Sequence, residues 1–114
     1  MSLANGEQQL ERFNAALLES IDGTIIALLS REVADALYQY LNRAHSIPKN
    51  EVPNNIEKVS SALQQTFGIS SSRTICKFIA KRFYANLELV FPNGPTLTLP
   101  EYVEEARRSL LGGK

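Results

Sequence analysis

Apolar residues recur at every third or fourth position in five separate stretches of this chain, and that period is the strongest constraint on its fold. Such a segment buries its apolar stripe when it is a helix packed on other helices, so the sequence predicts an all-α protein. The clearest row is Ile75, Ile79, Phe83 and Leu87, spaced i, i+4, with Cys76, Phe78, Ala80 and Tyr84 beside it in a helix starting near Ser70.

The other stretches follow the same logic. Leu10, Phe13, Leu17, Leu18 and Ile21 predict a first helix, which the Asp22-Gly23 pair is expected to end as a turn. Thr24 is then placed to cap a second helix whose stripe is Ile25, Ile26, Leu29, Val33, Ala36, Leu37, Tyr40, Leu41 and Ala44, opposite Arg31, Glu32, Asp35, Gln39 and Asn42. His45 to Asn55, with Pro48, Pro53 and three asparagines, reads as a loop. Pro53 or Asn54-Asn55 opens a third helix with the face Ile56, Val59, Leu63 and Phe67, closed by Gly68 as a left-handed cap.

After Leu87 the pattern changes. Leu87 to Phe91 and Thr96 to Leu99 flank Pro92-Asn93-Gly94-Pro95, so a turn is expected there, with a short β-hairpin as the alternative. Thr98-Leu99-Pro100-Glu101 matches a capping box, opening a last helix that buries Tyr102, Val103, Ala106 and Leu110. No repeat or linker divides the 114 residues, so the expectation is one compact bundle of about five helices over 1–114. Residues 1–6 and 112–114 are expected to fray, and Met1-Ser2-Leu3 reads as a cloning leader.

Charge narrows the function. Twelve basic and twelve acidic residues cancel, which removes the global field that draws a protein to nucleic acid or anionic lipid. The longest apolar run, between Thr24 and Ser30, is far short of the roughly 20 residues of a membrane span, and no signal-peptide pattern opens the chain. With Cys76 as the single cysteine, no internal disulfide can form, and a reducing cytoplasmic setting is expected.

Gln64 to Phe83 has the layout of a helix-turn-helix pivoting on Gly68, but Gln64 stands where close helix crossing needs a small residue. Thr74 and Lys77 occupy second-helix positions that should be apolar, one place out of register from Ile75 and Phe78, although Leu63, Phe67 and Ile69 agree with the pattern. Arg73, Lys77 and Lys81 nevertheless form a basic i, i+4 row with Arg82 at its edge, and Ser70 to Ser72 could offer hydroxyls and amides to a phosphate. This row is the basis for an alternative reading as a nucleic-acid-binding helical protein. A solvated helix face carries the same pattern.

No catalytic set emerges. Cys76 lies within an apolar helical face and His45 ends another helix, so the thiol reads as a buried, inert group. One Cys and one His cannot close a zinc site, and Glu101, Glu104 and Glu105 have Arg107 and Arg108 as neutralising neighbours, with Glu104 and Arg108 spaced i, i+4. The sequence contains no Gly-rich phosphate loop, Rossmann fingerprint or nucleophile elbow, so no enzyme activity, metal or cofactor is predicted. Leu28 and Tyr38, on the otherwise polar side of the second helix, point instead to association, and a homodimer is expected.

The motifs "ALQQTFG" at Ala62 to Gly68, "LELVF" at Leu87 to Phe91 and "LTLPEYVEEARRSL" at Leu97 to Leu110 resemble, in this order, a family of small archaeal domains. These occur alone or as the output part of signalling proteins. The resemblance implies a helical signalling-associated domain and carries no functional residues with it. The expected function is therefore a non-enzymatic protein–protein interaction or signalling-output module that self-associates.

Overall fold

The computed structural model describes the backbone from Ser2 to Leu110 and the side chains from Glu7 to Leu110. Among these residues it has four α-helices and no strand: α1 (Ser2–Leu28), α2 (Arg31–His45), α3 (Ile56–Asn86) and α4 (Leu99–Leu110). A 3-10 helix, Lys49–Asn55, precedes α3. The fold is all-α, but the expected division into five helices and the alternative hairpin are not found. The fraying expected at 112–114 lies outside the described residues.

The first difference is at Asp22-Gly23, where no turn forms and α1 continues. Phe13, Leu17, Ile21 and Ile25 form one i, i+4 row and all four are fully buried. Burying an isoleucine such as Ile25 stabilises by about 1.5–3 kcal/mol, whereas a glycine in a helix interior costs about 1 kcal/mol against alanine. The row wins. Thr24, expected to cap a second helix, is instead a buried residue of α1.

The break comes at Leu29-Ser30. Ser30 is extended (φ −173°, ψ 167°), and its Oγ accepts the Val33 N–H at 3.1 Å to cap α2. A new helix axis means a new phase. The face that α2 buries is Ala34, Leu37, Tyr38 and Leu41, whereas Ala36, Tyr40 and Ala44, expected in the core, are exposed. The expected stripe was drawn through Ser30 as though one helix spanned it.

α2 ends at Ser46, a left-handed residue (φ 57°, ψ 38°) whose N–H bonds the Asn42 carbonyl at 3.0 Å. The chain expected as a loop then partly coils: Ile47, Val52 and Pro53 are buried, and Asn55 Nδ2 donates to the Glu51 carbonyl at 2.9 Å. Short 3-10 turns suit such a place because Pro53 breaks α-helical bonding but can sit in a tighter coil.

α3 is two helical arms joined at Gly68, where φ 86° and ψ 169° leave the helical region. This is not the left-handed cap expected from the sequence; it is a conformation open in practice only to glycine. The first arm buries Val59, Ala62 and Leu63, and the second Ile75, Cys76, Ile79, Ala80, Phe83 and Tyr84. Phe83 meets Phe13 edge-on with ring centroids 5.1 Å apart, joining α3 to α1.

The second arm ends in a Schellman motif built without glycine. Leu89 N–H reaches the Tyr84 carbonyl at 2.9 Å and Glu88 N–H the Ala85 carbonyl at 3.1 Å, with Glu88 at φ 59°. The segment beyond is held by Phe91, which stacks on Tyr102 at 5.1 Å and meets Tyr84 edge-on at 5.4 Å. Tyr84 in turn donates its hydroxyl to the Tyr102 carbonyl at 2.7 Å. Beyond it the capping box forms as the sequence predicts: Thr98 N–H to Glu101 Oε1 at 2.9 Å and Glu101 N–H to Thr98 Oγ1 at 3.3 Å.

Candidate functional site

Three surfaces carry the residues singled out from the sequence. On α2, Tyr38 is not an exposed contact: it is 7% exposed, and its hydroxyl donates to Asp22 Oδ1 at 2.8 Å. Lys49 lies over the same ring at 4.7 Å and reaches Asp22 at 3.8 Å, so Tyr38 ties α1, α2 and the 3-10 helix together. Burial and the Asp22 carboxylate both hold its phenol protonated. Leu28 is exposed, on the last turn of α1 rather than on a second helix. The apolar surface of α2 lies elsewhere, along Ala36, Tyr40 and Ala44, where Tyr40 rises beside small alanines and bounds a depression of about 410 Å³.

The basic row of the second α3 arm is divided by its contacts. Arg82 does not face outward for a phosphate: its Nη2 lies 2.7 Å from Glu19 Oε2, and its guanidinium crosses the backbone of Gly23. A Cβ at Gly23 would stand 2.6 Å from the guanidinium carbon, so the glycine that was expected to end α1 makes room for this crossing. Asn86 completes the lock, donating to Glu19 Oε1 at 2.7 Å and Ser20 Oγ at 3.0 Å. The Arg82 hydrogen bond lowers the Glu19 carboxyl below its ordinary range, and Glu19 correspondingly raises Arg82.

Lys81 sits 5.9 Å from the Phe91 ring, and Arg73 and Lys77 are exposed. Phe78, expected beside the core row, is 47% exposed, next in the chain to Lys77 and one turn before Lys81.

The third surface joins Ser72, Arg73 and Cys76, each singled out from the sequence, to residues far from them in the chain. In the angle of the Gly68 elbow opens a concavity of about 510 Å³, bounded by Ser60 and Gln64 of the first arm, Arg73 and Cys76 of the second, and Thr96 to Leu99. Its parts come from three places in the chain, and no local spacing links them. Burial pushes the Cys76 thiol up to about 11, outweighing a hydrogen bond from Ser60 that acts the other way. A thiol so held is neutral at physiological pH, as its apolar setting in the sequence suggests.

His45 is exposed at the end of α2, edge-on to Tyr40 at 5.7 Å, and does not line the Cys76 concavity. The acids of α4 are paired locally: Glu104 lies 3.6 Å from Arg107 and 3.9 Å from Arg108, which also reaches Glu105 at 3.3 Å. Among the described residues, no helix is long and apolar enough to cross a membrane.

Compared with protein-family models, curated proteins and solved structures, the chain has no significant match in any of the three.

Proposed function

We propose that this chain is a non-enzymatic interaction module that pairs with a second copy of itself through the outer face of α2, in a cytoplasmic setting. The observation that carries this reading is the row Ala36, Tyr40 and Ala44: helix-contact spacing, all three exposed, with half-buried Val33 and exposed Leu29 toward its N-terminal end. Charge favours a second copy over a foreign partner. Glu32 and Arg43 border the row on one flank near opposite ends of α2, so an antiparallel crossing sets Glu32 of each copy against Arg43 of its partner. The same register lays each Tyr40 against the small Ala36 opposite. The likeness of Ala62–Gly68 and Leu97–Leu110 to archaeal output domains supports placing such pairing in signalling.

Light scattering tests the pairing. The wild-type chain is expected at twice its 12.7 kDa mass, and Tyr40→Glu at the monomer mass with an unchanged far-ultraviolet circular dichroism spectrum. A wild-type chain that stays monomeric as its concentration is raised sinks the reading.

A second reading, nucleic-acid binding along Arg73, Lys77 and Lys81, is favoured by one observation, the exposure of Phe78 on the same helical arm. Binding of this kind weakens steeply with salt, whereas the α2 contact does not.

A further inference from the structure

We infer that the elbow of α3 is a binding site for a small monocarboxylate, its carboxylate on Arg73 and its short apolar end against Ile69 and Leu97. The inference does not rest on self-association, since the elbow and the outer face of α2 share no residue.

Charge sets the sign of the ligand. Arg73 is the one charged residue lining the concavity, and no carboxylate lines it. Arg82, Arg107 and Arg108 each have an acidic partner, whereas among the described residues Arg73, like Arg12, Arg31 and Arg43, forms no ion pair, and of these four Arg73 lines the elbow. A planar guanidinium free on one side of a concave wall matches a carboxylate, which it can bond through two parallel N–H groups.

The other polar groups sort by what they are already doing. Ser72 donates inward to the Ile69 carbonyl at 3.1 Å, and Ser60 lines the wall beside Cys76. Gln64 and Thr96 have no hydrogen-bond partner among the described residues, and the Thr98 hydroxyl accepts from Glu101 N–H with its own proton still to give. These donors surround a single cation, enough for one carboxylate and not for two. Ile69, 60% exposed on the same wall, gives the site an apolar side that an inorganic anion would leave wet. The volume, about 510 Å³, lies within the range of small-molecule pockets.

The test is a titration of the ¹⁵N-labelled full chain with acetate, propionate, butyrate and inorganic phosphate, followed by amide shifts. Amides of 69–73 and 96–99 are expected to move saturably, with affinity rising about fourfold per added methylene from acetate to butyrate. Arg73→Gln is expected to weaken butyrate binding about tenfold, while Lys77→Gln leaves it unchanged. Spectra of both variants away from the elbow report whether each is folded, and Thr96→Val, which removes a donor without a charge, should also weaken binding.

Because Cys76 is the only thiol, slowing of its alkylation by butyrate gives an independent readout. Shifts that do not saturate, that persist unchanged in Arg73→Gln, or that phosphate produces as readily as butyrate would overturn the assignment. Tyr40→Glu should still bind butyrate, so failure here and failure of the dimer are separate results.

Discussion

Gly23 and Gly68 are both preceded by a helical apolar pattern, yet one lies inside a continuous helix and the other divides one. Around Gly23 the chain has Ile21 and Ile25 on the same buried row, and the missing side chain is used by Arg82 crossing from α3. Around Gly68 the backbone turns to φ 86°, ψ 169°, with open space where a Cβ would be. Glycine permits both outcomes. What lies across the interface selects between them: a helix that must continue to fill the core in one case, two arms that each bury a separate apolar face in the other.

The sharpest way to break this comparison is Ile25→Ala. If burial of Ile25 is what carries α1 through Gly23, its truncation should lower stability by about 2–5 kcal/mol in urea unfolding, with helix content falling beyond residue 22. A loss under 1 kcal/mol, by the same scale, would leave the continuation of α1 without its cause.

Gly68→Ala comes next. Nothing obstructs a methyl there, so the whole cost is backbone strain, expected at about 1–3 kcal/mol. A neutral Gly68→Ala would mean that the elbow does not have this conformation.

Gly23→Ala should be nearly silent, within about 1 kcal/mol of wild type, because a gain of about 1 kcal/mol in helix propensity offsets displacement of the flexible Arg82 terminus and its exposed ion pair. The same substitution at two glycines thus gives two outcomes, and their difference measures the contrast directly.

The smallest effect concerns pH. Glu19 has a lowered folded pKa, so its contribution is present above the ordinary carboxyl value of 4.5 and is lost as pH falls through the folded value. Both partners are about half exposed, which keeps the term small. Glu19→Gln should flatten the acid limb of the stability profile slightly and leave neutral pH almost unchanged; an unaltered acid limb would show that the Arg82 contact adds nothing.

Much of the candidate surface was hidden by one error of phase. The apolar residues of α2 were legible as apolar, but which of them face inward depends on where the helix begins. Ser30 sets that start, and a serine amid Leu28, Leu29, Arg31 and Glu32 is a weaker local signal than Asp22-Gly23. Tyr38 therefore looked outward and Tyr40 inward, the reverse of their placement. Arg82 looked free because its partner Glu19 is distant in sequence, and the elbow concavity was invisible for the same reason.

What the sequence determined by itself is local: helical period, the break at Gly68, the capping box at Thr98 to Glu101, and a thiol set among apolar neighbours. Each depends on residues within a turn or two of one another, where backbone hydrogen bonding and side-chain spacing act directly. Tertiary structure decided the rest: that α1 runs through Gly23, that Tyr38 is buried on Asp22, and that Arg73 and Thr96 line one concavity. Those outcomes hang on surfaces brought together from far along the chain, where the free energy of burying or pairing a side chain exceeds the local preference that opposes it.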